Sequence, residues 1–167
     1  YGLSTGPLDI ARRARPALER LVEHAEVTVL TAGWGRFILA YSHCVIWNPA
    51  AGLEAVTRLE RMGEDSGLDP LVRLAAIIGA HLELGTGRLH LAQAWLDKLD
   101  RVAESGKPYD EASYANAKVY LLLHLGQPEL AVEPAKKALR LFDEAGTYFH
   151  RTLARVNLAA THLLLGD

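Results

Sequence analysis

The sequence holds a single cysteine, Cys44. An internal disulfide is thereby excluded, as is a zinc site built on paired cysteines. Long hydrophobic runs are also missing. The most apolar stretch, residues 37–47, is 11 residues long and is interrupted by Ser42 and His43, whereas a membrane-spanning helix needs ~20. Charge of one sign is lacking too: 18 Lys and Arg stand against 20 Asp and Glu, a net charge of −2. Such a balance sets up no field that would hold a polyanion or an anionic membrane. No basic-then-apolar leader follows Tyr1, and Gly166 and Asp167 look like the start of another turn. The chain therefore reads as a cytosolic fragment of a longer protein, with no membrane and no direct nucleic-acid contact.

What is present is an apolar half, 50% of 167 residues, enough for one domain with a core of its own. Its pattern is helical. In the stretch 124–146, "HLGQPELAVEPAKKALRLFDEAG", Ala131, Ala135, Ala138, Phe142 and Ala145 follow one another at spacings of four, three, four and three. They share one stripe of a helix, with Glu133, Lys136, Lys137, Arg140 and Glu144 opposite. Small residues on the stripe let a neighbouring helix approach closely. The preceding segment, 111–125, has no glycine or proline and ends at Gly126. Pro128 then opens the next helix, where proline is tolerated. Pro134 lies in the second turn of that helix, removes a hydrogen bond to Leu130 and predicts a kink there.

The layout repeats. Gly67, Gly106 and Gly146 close three helices at intervals of 39 and 40 residues, and Gly87, Gly126 and Gly166 mark three further joints at the same intervals. Ala92 and Leu99 occupy the places of Ala131 and Ala138. Gly85 is read as ending its helix, which makes that joint two residues longer than the others. Alternating strand patterns never exceed three or four residues. The class expected is all-α, a single helical-repeat domain over residues 1–167, clearest over 50–167. Helices are predicted near 8–32, 36–47, 50–66, 70–85, 88–105, 110–126, 128–145 and 149–166.

A glycine joint followed by alanines five and twelve residues on resembles the tetratricopeptide repeat, carried here by Gly126, Ala131 and Ala138 within "HLGQPELAVEPAKKAL". The period near 40 exceeds that family's 34, Ala135 stands where an aromatic is expected, and the closing proline is absent. Longer units ending in "EAG" or "ESG" resemble the helical sensor regions of large bacterial transcriptional regulators of the maltose-activator type, and of some ATPase-linked activators. The resemblance implies a right-handed α-α superhelix of about four antiparallel hairpins. Its concave groove would receive a protein, a peptide or a small-molecule effector, while nucleotide and DNA are bound by domains not in this chain.

Catalytic signals are sparse. His43 and Cys44 are adjacent, so on a helix they point about 100° apart and cannot act as base and nucleophile. None of His81, His124 and His162 has a second histidine at metal-ligating spacing. Glu60 with Glu64, and Asp97 with Arg101, read as solvated helix faces. "GWG" at 33–35 and "GTG" at 85–87 lack the lysine and preceding strand of a phosphate loop and read as joints. Arg12, Arg13, Arg15 and Arg20 read as the exposed face of the first helix, and Trp34, Trp47 and Trp95 as core.

No catalytic residue, metal ligand or cofactor is expected, and the chain is read as a binding module rather than an enzyme. The candidate ligand-binding row is Ser113, Asn116, Tyr120 and His124, at spacings of three, four and four. It combines hydrogen-bonding groups with an aromatic face and carries no lysine or arginine. Leu158, Leu163, Leu164 and Leu165 on the last helix are expected to present an apolar surface through which copies associate. The competing reading is a structural spacer or oligomerisation segment with nothing in its groove.

Overall fold

A computed structural model of the chain describes residues 7–24, 27–102 and 108–166. Among these the chain forms eight α-helices and no strand. They are α1 (Pro7–Glu23), α2 (Val29–Val45), α3 (Pro49–Ser66), α4 (Asp69–Gly85), α5 (Leu89–Val102), α6 (Pro108–His124), α7 (Pro128–Glu144) and α8 (Tyr148–Leu165). The fold is all-α and repeat-like, with α1 packed on α2, α2 on α3, α5 on α6, α6 on α7 and α7 on α8.

The joints share one piece of backbone chemistry. The Gly67 amide donates to the Glu64 carbonyl, and the next amide, of Leu68, donates to Gly63. The same pair of bonds recurs at Gly87, Gly126 and Gly146. This closure satisfies carbonyls that a helix end would leave unpaired, and it needs a left-handed residue, which costs an L side chain roughly 1–2 kcal/mol. Glycine meets the need, with φ of 64°, 74°, 67° and 67° at the four positions. Gly106, expected in the same role, lies outside the described residues.

The joint after α4 is not longer than the others. Gly85 belongs to the last turn of α4, Gly87 takes the left-handed position, and residues 86–88 match 125–127 and 145–147.

One joint departs from the rule. Between α2 and α3 the same two bonds form, Trp47 to Cys44 and Asn48 to His43, but the left-handed residue is Trp47, at φ 55°. Asn48 then caps α3, its side chain accepting from the Ala51 amide at 3.4 Å, and Pro49 opens the helix.

The first two helices differ from the sequence expectation. α1 ends at Glu23, and Gly33 and Gly35 lie inside α2 rather than at a joint. Close packing accounts for both glycines. A Cβ on Gly33 would sit 2.6 Å from the Leu71 side chain, and one on Gly35 would sit 2.6 Å from Val22. At Gly63 of α3 an added Cβ would meet the Val72 backbone nitrogen at 2.9 Å.

The chain divides into two compact units, residues 1–82 and 83–167, with the boundary inside α4. In the first unit, Val22, Leu39, Val56, Leu59, Leu71 and Leu82 are buried. In the second, α7 lies between α6 and α8 with its alanine stripe inward: Ala131, Ala135 and Ala138 are buried together with Phe142. Ala92 and Leu99 of α5 are fully buried, as their correspondence to Ala131 and Ala138 predicts.

Two long-range hydrogen bonds set the register of α6 against α8, Tyr109 Oη to His150 Nε2 at 3.2 Å and Asn157 Nδ2 to Asn116 Oδ1 at 2.7 Å. Both join residues 41 apart, so α6 and α8 run in the same direction. α7 continues as a helix through Pro134.

Candidate functional site

The row Ser113, Asn116, Tyr120 and His124 lies on α6 as predicted, but its members meet different surroundings. Ser113 is buried and donates to the Tyr109 carbonyl at 2.9 Å. Asn116 is buried, its oxygen taken by Asn157. Tyr120 is half-buried, and His124 is exposed with Nδ1 2.7 Å from the Tyr120 carbonyl. A carbonyl can only accept, so that ring nitrogen carries a proton. The outer half of the row, Tyr120 and His124, is the part that reaches solvent.

Next to the inner half, three aromatic rings from three helices meet. His150 stacks on Phe142 at 5.3 Å, and Tyr109 stands edge-on to His150 at 5.2 Å and to Phe142 at 5.9 Å. Burial holds the His150 pKa below the usual imidazole value of 6.5 and pushes the Tyr109 phenol up.

The other residues singled out from the sequence are placed as follows. Cys44 is half-buried, and burial raises its thiol to about 11, which leaves it unreactive at neutral pH. Desolvation lowers the His43 pKa, assisted by the Arg15 charge and opposed by Glu19. Glu60 is buried rather than solvated, whereas Glu64 is exposed. Asp97 is exposed and accepts from Gln93. Of the arginine group, Arg13 and Arg20 are exposed, Arg15 pairs with Glu19 at 3.4 Å, and the Arg12 side chain lies outside the described residues.

The tryptophans correct the expectation of a core role. Trp34 and Trp47 are 48% and 57% exposed; Trp95 is half-buried, under Lys98 at 4.6 Å. Trp34 belongs to a face that sequence periodicity missed. α2 is apolar nearly all round, and while one side packs inward, Leu30, Trp34, Ile38 and Tyr41 recur every three or four residues on the outer side. Phe37 ties the aromatics together, edge-on to Trp34 at 5.6 Å and stacked on Tyr41 at 6.4 Å. The signal available in the sequence was the continuous apolar run itself, because a surface helix should carry one polar face.

A second exposed apolar face lies on α8, where Val156, Leu163 and Leu164 are more than half exposed. Leu158, expected on that surface, instead packs against the core of α6 and α7.

A cleft of about 300 Å³ opens between α1, α2 and α3, with Arg36 and His43 from α2 and Arg58 from α3 in its walls. Among the described residues no three His, Cys, Asp or Glu side chains come together as metal ligands, and no helix is long and apolar enough to cross a membrane. Comparison with protein families gives no match, and comparison with curated proteins gives none either.

Proposed function

We propose that this chain is a non-catalytic interaction module of a bacterial transcriptional regulator, acting in the cytoplasm, whose helices dock a partner protein through the outer face of α2. The observation that carries the reading is the row Leu30, Trp34, Ile38 and Tyr41. Each is 44–49% exposed, on a helix whose opposite side is already packed. Exposed aromatic and aliphatic residues grouped on one rigid element are the anchors that protein interfaces use. The partner surface that fits is the apolar face of an amphipathic helix. The regulator setting is supported by the likeness of the "HLGQPELAVEPAKKAL" unit to helical sensor regions.

The test is made in the intact protein. Trp34→Ser combined with Ile38→Ser should abolish partner docking and the transcriptional response while helical content and thermal midpoint stay as in the parent. A response unchanged by that pair removes the reading.

A second reading, homotypic association through α8, is favoured by the exposure of Val156, Leu163 and Leu164. It predicts a dimer in sedimentation that Leu163→Glu converts to monomer.

A further inference from the structure

Among the charges lining the cleft between α1, α2 and α3, most are matched locally. Arg58 donates to Glu54 at 2.5 Å, and Glu19 pairs with Arg15 at 3.4 Å. Two charges remain. Glu23, on the α1 wall, and Arg36, on the α2 wall, make no ion pair among the described residues, with each other or with any other group. The cleft thus presents one uncompensated carboxylate and one uncompensated guanidinium from different helices.

Two buried nitrogens on the same cleft also lack partners, Arg36 Nε and His43 Nδ1. Buried polar atoms are nearly always hydrogen-bonded in a protein, so each of these two nitrogens is open to a partner from outside the chain, an ordered water or a bound group. Arg36 and His43 lie seven residues apart on α2, two turns along one face, so both can address one occupant. Between the charged walls the lining is apolar, from Val22, Leu39 and Ala55. About 300 Å³ suits a compact metabolite and is at the small end of ligand sites.

We infer that this cleft binds a small zwitterion, a molecule bearing an ammonium and a carboxylate with a short apolar body between or beside them, which is the chemistry of a free α-amino acid. The carboxylate sits on Arg36, whose planar fork matches it, with His43 Nδ1 as a second donor. The ammonium sits on Glu23. A simple anion is disfavoured, because Glu19, Glu23 and Glu54 line the same cleft and would repel it. The site is separate from the outer face of α2, so it stands or falls independently of partner docking.

The experiment is calorimetric titration of the chain with each proteinogenic L-amino acid at up to millimolar concentration. At least one should bind, and its N-acetyl and carboxamide derivatives should each bind about 10- to 100-fold more weakly, as expected for loss of one charge-assisted hydrogen bond. Arg36→Gln and Glu23→Gln should each weaken binding by the same factor. Glu23 is exposed, so Glu23→Gln keeps the test decisive even where Arg36→Gln fails to fold. The proposal is overturned if no amino acid binds, if binding survives Glu23→Gln undiminished, or if acetate or inorganic phosphate binds as well as the amino acid does.

Discussion

Trp47 is the residue that least fits its backbone. The joints after α3, α4, α6 and α7 give the left-handed position to glycine, and here a bulky side chain takes it at a cost of roughly 1–2 kcal/mol. Trp47→Gly should relieve that strain and, after the entropy glycine loses on folding, raise stability by about 0.5–1 kcal/mol in urea denaturation. A fall in stability would mean that the indole makes contacts outweighing its strain. The histidines set a pH dependence. His81 is half-buried, with Nδ1 2.7 Å from the Ile77 carbonyl, and burial lowers its pKa, as it does for His150. Below 6.5 the unfolded chain takes up protons that the folded chain refuses, so stability is full above that pH and declines as pH falls toward the lowered folded values. The urea midpoint should therefore drop between about pH 7.5 and about pH 5.5. His150→Gln should make the drop shallower.

At the scale of elements, the packing of α6, α7 and α8 rests on small residues and one buried polar pair. Ala138 is fully buried, and Ala138→Leu should overpack the interface and destabilise by ~1–3 kcal/mol in thermal or urea unfolding. An unchanged midpoint would contradict its burial. Asn116→Ala should cost ~1–3 kcal/mol, because it leaves the Asn157 amide buried without its acceptor. A double-mutant cycle with Asn157→Ala should then show a coupling of ~0.5–3 kcal/mol. These elements also divide what the sequence reveals from what it hides. From α3 onward, glycine and proline punctuate every described joint, and the predicted ends lie within a few residues of the observed ones, except that the predicted end of α5 at 105 lies outside the described residues. At α1 and α2 the glycines serve close helix contacts instead of a turn, and α1 ends at Glu23, ten residues before Gly33, where the sequence 24–28 carries no glycine or proline, so composition points to the wrong place. The candidate row on α6 was only partly legible. Helical spacing puts Ser113, Asn116, Tyr120 and His124 on one face, but it cannot say that α8 covers the first half of that face, since Asn157 is 41 residues away. The α1–α2–α3 cleft was not legible at all, being assembled from three separate helices.

At the scale of the whole molecule, the exposed faces on α2 and α8 belong to different units, and variants separate their roles. Trp34→Ser with Ile38→Ser should leave self-association untouched, while Leu163→Glu should leave partner docking untouched; sedimentation velocity with and without partner distinguishes the two. In the intact protein, Tyr120→Ala with His124→Ala tests the solvent-reaching end of the α6 row, and an unaltered effector or partner affinity would exclude that end as the contact.

The uniform glycine closures carry a mechanical corollary. A chain whose helix pairs are joined by short, like-shaped links has natural breakpoints under tension, and Gly126 and Gly166 bracket one pair 40 residues long. Stretched from its C-terminus in an optical trap, the second unit should yield in discrete extensions rather than one rip, the first releasing about 140 Å of contour at ~3.5 Å per residue.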